Sequence, residues 1–260
     1  MAADADRLDV LAVAPHPDDL EITCGGTLAL LVKQGHRVAM LDLTSGEPTP
    51  RGSEEIRARE SEAARKVLGV PVRLNAGLPN RVLMDSPENR FKLGTIFRRY
   101  RPTTIIVTAG RTPAASPDHH QGHLLVEASR FYSQLTKWNE RFDNTEPYRV
   151  PHLVYAPFPF DAEQRQWHCT FVVDISETFE QKLKAIQCYE SQFDEKRVAL
   201  VRHFITGHNI HQGARCGFSY GEMFALPHPA GAADLMTFVL GGKGSPAPVQ
   251  LPGRDHVPTG

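Results

Sequence analysis

Strand-like apolar runs alternate with helical stretches along most of this 260-residue chain, and that alternation constrains the fold more than any other feature. The run at residues 9–14 is almost continuously apolar, which favours a strand buried on both faces. Further strands are predicted at residues 37–43, 72–74, 103–108, 153–157 and 171–175. Helices are predicted from Gly25-Gly26 to about residue 35, from Ser53 to residue 68, from Ser86 onwards, and over residues 117–135, 177–192 and 195–208. Because strands separated by such helices form βαβ units, we predict an α/β fold with a Rossmann-like, mostly parallel sheet flanked by helices on both faces.

The composition changes after residue 226, and this change predicts the domain boundary. We predict one domain over residues 1–226, since a chain of this length suits one large domain and no internal repeat is visible. Residues 227–260 are rich in Gly, Pro and Ala and are expected to form a tail. Within that tail, the apolar patch at residues 235–240 is a candidate for docking on the domain or on a neighbouring subunit.

The charge balance excludes broad nucleic-acid binding. The chain has 29 Lys and Arg residues against 30 Asp and Glu residues, for a formal net charge of -1, whereas electrostatic capture of nucleic acid needs a basic surface. The four cysteines are far apart and form no CxxC pair, so neither disulfides nor a cysteine-based zinc site is expected. The acidic first ten residues lack the pattern of a secretory signal, and no run of about 18 apolar residues suggests a membrane span. We expect a cytoplasmic protein.

Metal-binding residue types follow the first predicted strand. A nucleotide-binding Rossmann domain would have a glycine-rich GxGxxG turn there, but this chain has His16, Pro17, Asp18 and Asp19. Imidazole nitrogen and carboxylate oxygen both ligate Zn²⁺, and a carboxylate beside the ion can act as a general base. The alternative is an ordinary polar turn in which one aspartate caps the next helix.

Histidines are clustered after the fourth predicted strand, where His119, His120 and His123 lie within five positions. Ser116 is predicted to cap the next helix with Pro117 as its first residue, which places His119 in the first helical turn. Because parallel strands end at one edge of a sheet, one of these histidines would join the first cluster in a three-ligand site with an open position, as in catalytic zinc sites. A lone histidine is usually an ordinary surface or core residue, but that explanation fits two clusters at one edge poorly.

These motifs resemble those of the PIG-L/LmbE-like zinc-dependent de-N-acetylases. The resemblance rests on His-Pro-Asp-Asp-x-Glu at residues 16–21, the following Gly25-Gly26, and Pro-Asp-His at residues 117–119. It covers nearly the whole chain to Phe224. Within the family the chain looks closest to the bacillithiol-pathway enzymes that deacetylate N-acetylglucosaminyl-malate. That closeness rests on short stretches that are weak alone and specific in combination, at residues 42–44, 55–57, 77–81, 174–176, 189–193 and 220–222.

The resemblance implies roles for individual residues. His16, Asp19 and His119 would be the zinc ligands, with Asp18 as the general base. Tyr189 is implied to help bind the oxyanion.

Five further residues are expected around this centre. Arg57 would hold sugar hydroxyls, or else is a solvated helix residue; Arg81 and His120 are the other candidates for substrate binding. Asp118 is expected to hydrogen-bond a ligand imidazole or to stabilise the first helical turn, and Glu21 to orient the first loop or to cap a helix.

One position departs from the family pattern. The family usually has a histidine at the position of Ser116, where it steadies the oxyanion or helps protonate the leaving amine. A serine hydroxyl can donate a hydrogen bond but cannot supply imidazolium chemistry, so Ser116 is a weaker catalytic candidate. His120, His123 or His211 is a candidate to compensate; otherwise Asp18 makes both proton transfers. Ala115 stands where the family often has arginine, which weakens the inference of a malate substrate more than that of the reaction.

The implied function is a zinc-dependent N-deacetylase that hydrolyses the acetamide of an N-acetylglucosamine-containing small molecule. Another divalent ion such as Fe²⁺ suits the same ligands. The partners expected are a small-molecule sugar conjugate and further copies of the chain in a homo-oligomer, without nucleic acid or membrane. Two alternatives stay open: an amidase of the same zinc chemistry that acts on a thiol conjugate or another acylated amine, and a non-catalytic Rossmann-like binding protein.

Overall fold

The described residues of the computed structural model, 7–162, 167–234 and 238, contain one sheet of seven strands. The strands are β1 Val10–Ala14, β2 Val38–Thr44, β3 Val72–Leu78, β4 Thr104–Ala109, β5 His152–Pro157, β6 Thr170–Asp174 and β7 Gly221–Ala225. Their order is β3-β2-β1-β4-β5-β7-β6, and β3, β2, β1, β4 and β5 pair in parallel. Among these strands, β7 alone runs antiparallel to its neighbours β5 and β6. The predicted α/β fold with a mostly parallel sheet is confirmed.

Helices flank the sheet on both faces, as predicted. They are α1 Asp19–Lys33, α2 Glu54–Leu68, α3 Pro87–Tyr100, α4 Asp118–Tyr132, α5 Phe179–Gln187 and α6 Glu195–Ala214, with a short 3-10 helix at Asn139–Phe142. Because side chains alternate along a strand, Leu11 and Val13 pack with α3 and α4 on one face, whereas Val10 and Ala12 pack with α1, α2 and α5 on the other.

Two serine caps explain where α2 and α3 begin. The Oγ of Ser53 accepts a hydrogen bond from the Ile56 amide at 3.2 Å. The Oγ of Ser86 accepts from the Asn89 amide at 3.3 Å. Both starts agree with the sequence prediction, since serine satisfies an amide that the helix leaves unpaired.

Helices α5 and α6 differ from their predicted bounds. Helix α5 ends at Gln187 rather than residue 192, and α6 continues to Ala214 rather than residue 208. The Asp194 side chain accepts a hydrogen bond from the Arg197 amide at 2.9 Å and so starts a new helix. Residues 188–192 form the turn between the two helices.

Helix α1 begins one and a half turns before the predicted start at Gly25-Gly26. Its helical geometry is interrupted at Cys24, with φ -138° and ψ 15°. Beyond the interruption, the amides of Gly26 and Thr27 donate to the two carboxylate oxygens of Glu222 at 3.0 and 2.7 Å. The glycine pair therefore marks the start of a second helical segment, and the prediction missed the first turns from Asp19.

Strand β7, which the sequence analysis did not predict, brings Glu222 into the interior. Its Oε1 lies 2.6 Å from the Nζ of Lys182, and the two side chains are 0% and 1% exposed. We call Lys182, Glu222 and the amides of Gly26 and Thr27 the closed charge cluster. It joins β7, α5 and the middle of α1.

The sheet has its switch point between β1 and β4. Strand β1 pairs with β2 on one side and with β4 on the other. The strands β2 and β3 that follow β1 in the chain are therefore added on one side of it, and the later strands from β4 onwards are added on the other side. Ligands of such folds bind in the crevice at the carboxyl ends of the strands at this point. The loop that contains His16 follows the end of β1, and His119 lies in the first turn of α4, after the loop that follows β4.

No helix within the described ranges is long and apolar enough to cross a bilayer. The predicted domain boundary at residue 226 directly follows the end of β7. Residues 235–237 and 239–260, which include nearly all of the predicted docking patch, lie outside the described residues, so the domain division and the patch stay predictions.

Candidate active site

Three potential metal ligands converge at the switch point. His16, Asp19 and His119 each offer a ligand atom, and these atoms lie within 4.8 Å of one another. Asp19 connects the two imidazoles: its Oδ2 lies 3.1 Å from Nδ1 of His16, and its Oδ1 lies 3.4 Å from Nε2 of His119. All three residues are buried. The structure thus brings together the three residues that the sequence analysis proposed as ligands.

The second nitrogen of each imidazole has its own partner. Nε2 of His16 lies 3.3 Å from Oδ2 of Asp118, and Nδ1 of His119 lies 2.8 Å from Oγ1 of Thr112. Such partners orient a metal-binding imidazole and fix its tautomer. Nδ1 of His16 and Nε2 of His119 are therefore the nitrogens available to a ligand. The sequence analysis missed Thr112, although a hydroxyl residue in the loop after β4 is a signal that could have identified it.

The charges at this point favour a cation. Burial by itself lowers the pKa of His16, but the carboxylates of Asp19 and Asp118 outweigh burial and raise this pKa to about 10. Burial would raise the pKa of Asp19, but His119 and His16 outweigh it and hold this pKa well below its usual value. The Asp19 carboxylate is therefore ionised, and a bound metal ion would take the place of the His16 proton.

The donor set fits a divalent metal ion. Two imidazole nitrogens and one carboxylate oxygen are the ligand types of catalytic zinc sites, in which a fourth position stays open. His16, Asp19 and His119 all line one cavity, so the open position would face it. We conclude that this group of residues can hold a metal ion.

Asp18 lies beside the ligands in an unusual backbone conformation. Its φ of 114° is in the left-handed region, which non-glycine residues seldom adopt outside functional sites. Its Oδ2 lies 3.5 Å from Nη2 of Arg57. Burial raises the pKa of Asp18 to about 7, although Arg57 acts in the opposite direction. A carboxyl group that titrates near neutral pH suits the predicted role of general base.

Tyr189 lies behind the site rather than in it. Its side chain is fully buried, and it is absent from the cavity wall that the described residues form. Its hydroxyl donates to Oε1 of Glu21 at 2.8 Å, and the Arg57 guanidinium lies 5.5 Å from the centre of its ring. Among the described residues Tyr189 therefore contacts Glu21 and Arg57 rather than the cavity, and its predicted role in binding the oxyanion stays a prediction.

Glu21 also lies behind the site and is held by a buried cation. Nη1 of Arg73 donates to Oε1 of Glu21 at 2.6 Å, and its Nε donates to Asp42 at 2.7 Å. Glu21 thereby ties α1 to β2 and β3, which is consistent with its predicted role of orienting the first loop. Sequence reasoning missed Arg73, because a single arginine in a strand carries no local signal.

Two residues that line the cavity next to Asp18 have unpaired polar atoms. Nε and Nη1 of Arg57 and Oδ1 of Asn80 are buried and have no hydrogen-bond partner among the described residues. Buried polar atoms are normally paired, so these atoms are available to a ligand. Arg81 also lines the cavity, with its backbone amide 2.6 Å from Oδ2 of Asp118. Sequence reasoning missed Asn80, although it directly precedes the predicted Arg81.

Ser116 lines the cavity. Within the described residues, the three histidines that were candidates to compensate for it, His120, His123 and His211, do not line the cavity. The Oγ of Ser116 accepts from the Asp118 amide at 3.2 Å. His120 is partly buried on α4, and Nε2 of His123 lies 3.5 Å from Glu127. His211 is exposed near the end of α6. No histidine among these three is therefore placed to act in the way that the family residue would.

The cavity has a volume of about 580 Å³ and two chemically different sides. Its polar side is at the sheet edge and comprises His16, Asp18, Asp19, Gly46, Thr49, Arg57, Asn80, Arg81, Ser116 and His119. Its other side is formed mainly by α6 and the turn before it. We call the following six residues the apolar wall: Ile22, Phe160, Phe193, Leu200, Val201 and Phe204.

Comparisons with known proteins agree with this arrangement. The family model described as "PIG-L: GlcNAc-PI de-N-acetylase" matches residues 11–129, a span that contains both ligand clusters. The chain is 30% identical over 222 residues to the diacetylchitobiose deacetylase of Thermococcus kodakarensis, and the match covers 82% of this chain and 80% of that relative. It is 26% identical over 196 residues to the 4-oxalmesaconate hydratase of Pseudomonas putida, a match that covers 70% and 73%. The crystal structure of the conserved protein TT1542 from Thermus thermophilus superposes with a TM-score of 0.72 at 35% identity, over 87% of this chain and 97% of that one.

Proposed function

The chain belongs to the PIG-L family of de-N-acetylases, and on that premise we propose that it is a metal-dependent hydrolase that removes the acetyl group from the amine of an N-acetylglucosamine-containing small molecule. The observation that carries the proposal is the convergence of His16, Asp19 and His119 beside Asp18 in an open cavity. The deacetylase name of the Thermococcus relative supports an N-acetylated sugar as substrate. The bacillithiol pathway, a cytoplasmic location and a homo-oligomer remain predictions.

We propose Zn²⁺ as the ion, held by Nδ1 of His16, a carboxylate oxygen of Asp19 and Nε2 of His119. Fe²⁺ and Co²⁺ accept the same donors. When bound, the ion would act as a Lewis acid and lower the pKa of a water molecule toward about 7. Asp118 and Thr112 would keep the two imidazoles in the required orientation through the hydrogen bonds described above.

Asp18 acts as the proton carrier in this proposal. It accepts a proton from the attacking water as the water oxygen bonds to the acetyl carbon. When the C–N bond breaks, Asp18 returns the proton to the leaving amine, and acetate and a free amine are released. Its pKa of about 7 suits a group that must both accept and return a proton near neutral pH. Arg57, 3.5 Å away, holds the carboxylate in place.

The polar side of the cavity would bind the acetamido sugar. The unpaired Nε and Nη1 of Arg57 can donate to sugar hydroxyls, and Oδ1 of Asn80 can accept from a hydroxyl or from the acetamide N–H. Arg81 adds a second cation at the rim. The hydroxyl of Ser116 is proposed to donate to the developing oxyanion. His120, which lies outside the cavity wall of the described residues, is proposed only to support α4.

The test is an assay of amine release from N-acetylglucosamine and N,N'-diacetylchitobiose. The protein is assayed as purified, after exhaustive chelation, and after Zn²⁺, Fe²⁺ or Co²⁺ is added back. We expect release of equimolar acetate and amine, its loss on chelation and its recovery with metal. Activity that survives complete metal removal would refute the metal-dependent mechanism.

Two other reactions fit the same residues and need separate substrates. An amidase would release amine from an acylated thiol conjugate but not from simple acetamido sugars. A hydratase is favoured by the likeness to the Pseudomonas enzyme, since a base beside a metal ion can also direct water to a carbon–carbon double bond. Hydration of an unsaturated dicarboxylate, measured as a loss of absorbance, without any amine release would replace the deacetylase proposal.

A further inference from the structure

The apolar wall continues the cavity of the proposed active site beyond the metal ligands, and the ring of Phe160 lies 6.2 Å from that of His119. Two large side chains on α6 are unusually exposed there: Leu200 is 67% exposed and Phe204 is 44% exposed. Phe160, which follows β5, is 40% exposed on the same cavity. Clusters of exposed apolar side chains next to a cavity mark binding surfaces more often than scattered ones do.

The wall has a fixed base. Val201 and Phe193 pack against a core cluster that includes Ile205 and Phe179. Leu200 and Phe204 are four positions apart and therefore lie on one side of α6. The helix is thus held by its buried residues, while Leu200 and Phe204 project from it into open space.

The wall is physically continuous with the reacting groups. Ile22 belongs to the wall and also packs against the same core cluster. Its amide donates to the carbonyl of Asp18 at 3.1 Å, so it lies one helical turn from the proposed base. A molecule bound at the polar side would reach the wall with any group attached to its sugar.

We infer that the substrate is an amphiphile: an acetamido sugar that carries an apolar aromatic or alkyl group, which binds against Leu200 and Phe204. This inference rests on the proposed function for the sugar half of the molecule. The six wall side chains carry no charge, whereas the cations Arg57 and Arg81 both belong to the polar side. An anionic or highly polar aglycone would leave the apolar wall exposed to water, whereas an apolar aglycone would bury the surface of the wall. The three phenylalanine rings of the wall favour an aromatic group over an alkyl group, since rings gain from edge and stacking contacts.

The experiment compares three N-acetylglucosaminides that differ only in the aglycone: methyl, octyl and phenyl. Metal-loaded full-length protein is assayed for amine release, and kcat/KM is determined for each. We expect kcat/KM for the phenyl and octyl glycosides to exceed that for the methyl glycoside by about 10- to 100-fold, which is the range that hydrophobic pockets achieve. Equal values for all three would overturn the inference.

Substitutions of the wall make the test specific. L200S and F204S are expected to reduce the phenyl-to-methyl ratio by about tenfold each through a higher KM for the phenyl glycoside. The matched control is I210S, on the same helix, since Ile210 is 45% exposed but does not line the cavity of the described residues. I210S should leave the ratio unchanged. The contrary result is a phenyl-to-methyl ratio that stays unchanged in L200S and F204S, together with a changed sedimentation coefficient in these variants. It would indicate that the wall is an interface between copies of the chain and would overturn the inference.

A binding measurement separates this inference from the proposed function. If no glycoside releases amine, the deacetylase proposal fails, but calorimetric titration with phenyl and methyl glycosides still tests the wall. Tighter binding of the phenyl glycoside, with a negative heat-capacity change that F204S reduces, would support the wall as an apolar subsite. Equal affinities would overturn it.

Discussion

Two buried groups of charged residues use the same helix and differ in whether their polar atoms are satisfied. The closed charge cluster pairs Glu222 with Lys182 and with two amides of α1. We define the open charge cluster as His16, Asp18, Asp19, Arg57 and His119. It lies at the start of α1. Along the helix axis this is about 10 Å from the closed charge cluster, since an α-helix rises 1.5 Å per residue. All of these side chains are buried except Asp18, which is partly buried.

Burial of charge therefore does not by itself indicate chemistry. In the closed charge cluster both carboxylate oxygens of Glu222 have donors, and neither Glu222 nor Lys182 lines the cavity of the described residues. In the open charge cluster Arg57 has unpaired nitrogens, Asp18 has a strained backbone, and a cavity reaches all five residues. Unpaired atoms and strain at a cavity distinguish a candidate site from a structural ion pair.

The largest expected effect is on turnover and comes from Asp18. Asp18→Asn should lower kcat for amine release by about 10²- to 10⁴-fold, because an amide cannot accept the proton of water. Asparagine tolerates a positive φ, so the loop should keep its shape. Metal content, measured by mass spectrometry on the purified variant, should stay at the wild-type ratio. A rate close to wild type would remove Asp18 from the role of base.

Substitutions in the closed charge cluster should change the stability of the fold rather than turnover. Glu222→Ala leaves Lys182 buried without its partner and should lower the free energy of unfolding by about 3–5 kcal/mol, measured by urea denaturation. The double substitution Lys182→Met with Glu222→Leu removes both charges and should be less damaging. If Glu222→Ala instead lowers kcat in the folded fraction and leaves the free energy of unfolding unchanged, the two clusters are not independent.

A smaller effect is expected from the partners of the imidazoles. Asp118→Asn and Thr112→Val should each weaken metal binding by about 10- to 100-fold, measured by competition with a chromogenic chelator. Thr95→Val is the matched control, because the Thr95 hydroxyl is also buried but donates to Phe91 within α3 at 2.9 Å. If Thr112→Val and Thr95→Val retain equal metal affinity, Thr112 does not orient His119.

A further effect is expected in the pH dependence of the stability of the metal-free protein. The folded pKa of His16 is about 10, against 6.5 for an ordinary histidine, because Asp19 and Asp118 outweigh the burial that would lower it. The protonated state therefore stabilises the fold below pH 6.5, and this contribution is lost as the pH rises toward 10. Urea denaturation with chelator present should show a decline of less than about 1.4 kcal/mol per pH unit between pH 6.5 and 10. His16→Gln should flatten this slope, and an unchanged slope would assign it to another group.

Local signals explain which parts of the fold and site could be predicted. Ser53 and Ser86 cap their helices through contacts three residues away, so a short stretch of sequence contains the whole interaction. The ligands His16, Asp19 and His119 were identified because strand ends of a parallel sheet converge and because the motifs resemble a family.

Long-range contacts explain what the sequence analysis missed. Strand β7, which supplies Glu222 to the second segment of α1, was missed because it is short and begins with Gly and Glu. Thr112 and Asn80 gain their roles from His119 and from the cavity, which come near them only in the folded chain. Tyr189 was placed in the site by analogy, but its burial depends on how α5 packs over α1 and α2.

The bonds from Gly26 and Thr27 to Glu222 span 196 and 195 positions of the chain, and this separation has a consequence for the order of assembly. During synthesis, β1 and α1 emerge first, but the middle of α1 acquires its acceptor only after β7 has joined the sheet. Contacts of such separation carry a large loop-closure entropy and form late. Pulse-labelled hydrogen exchange should therefore find these two amides protected after those of β1, and simultaneous protection would contradict this order. Strand β7 would then act as a checkpoint, because the helix next to the metal ligands is completed only after the chain has been synthesised beyond Ala225.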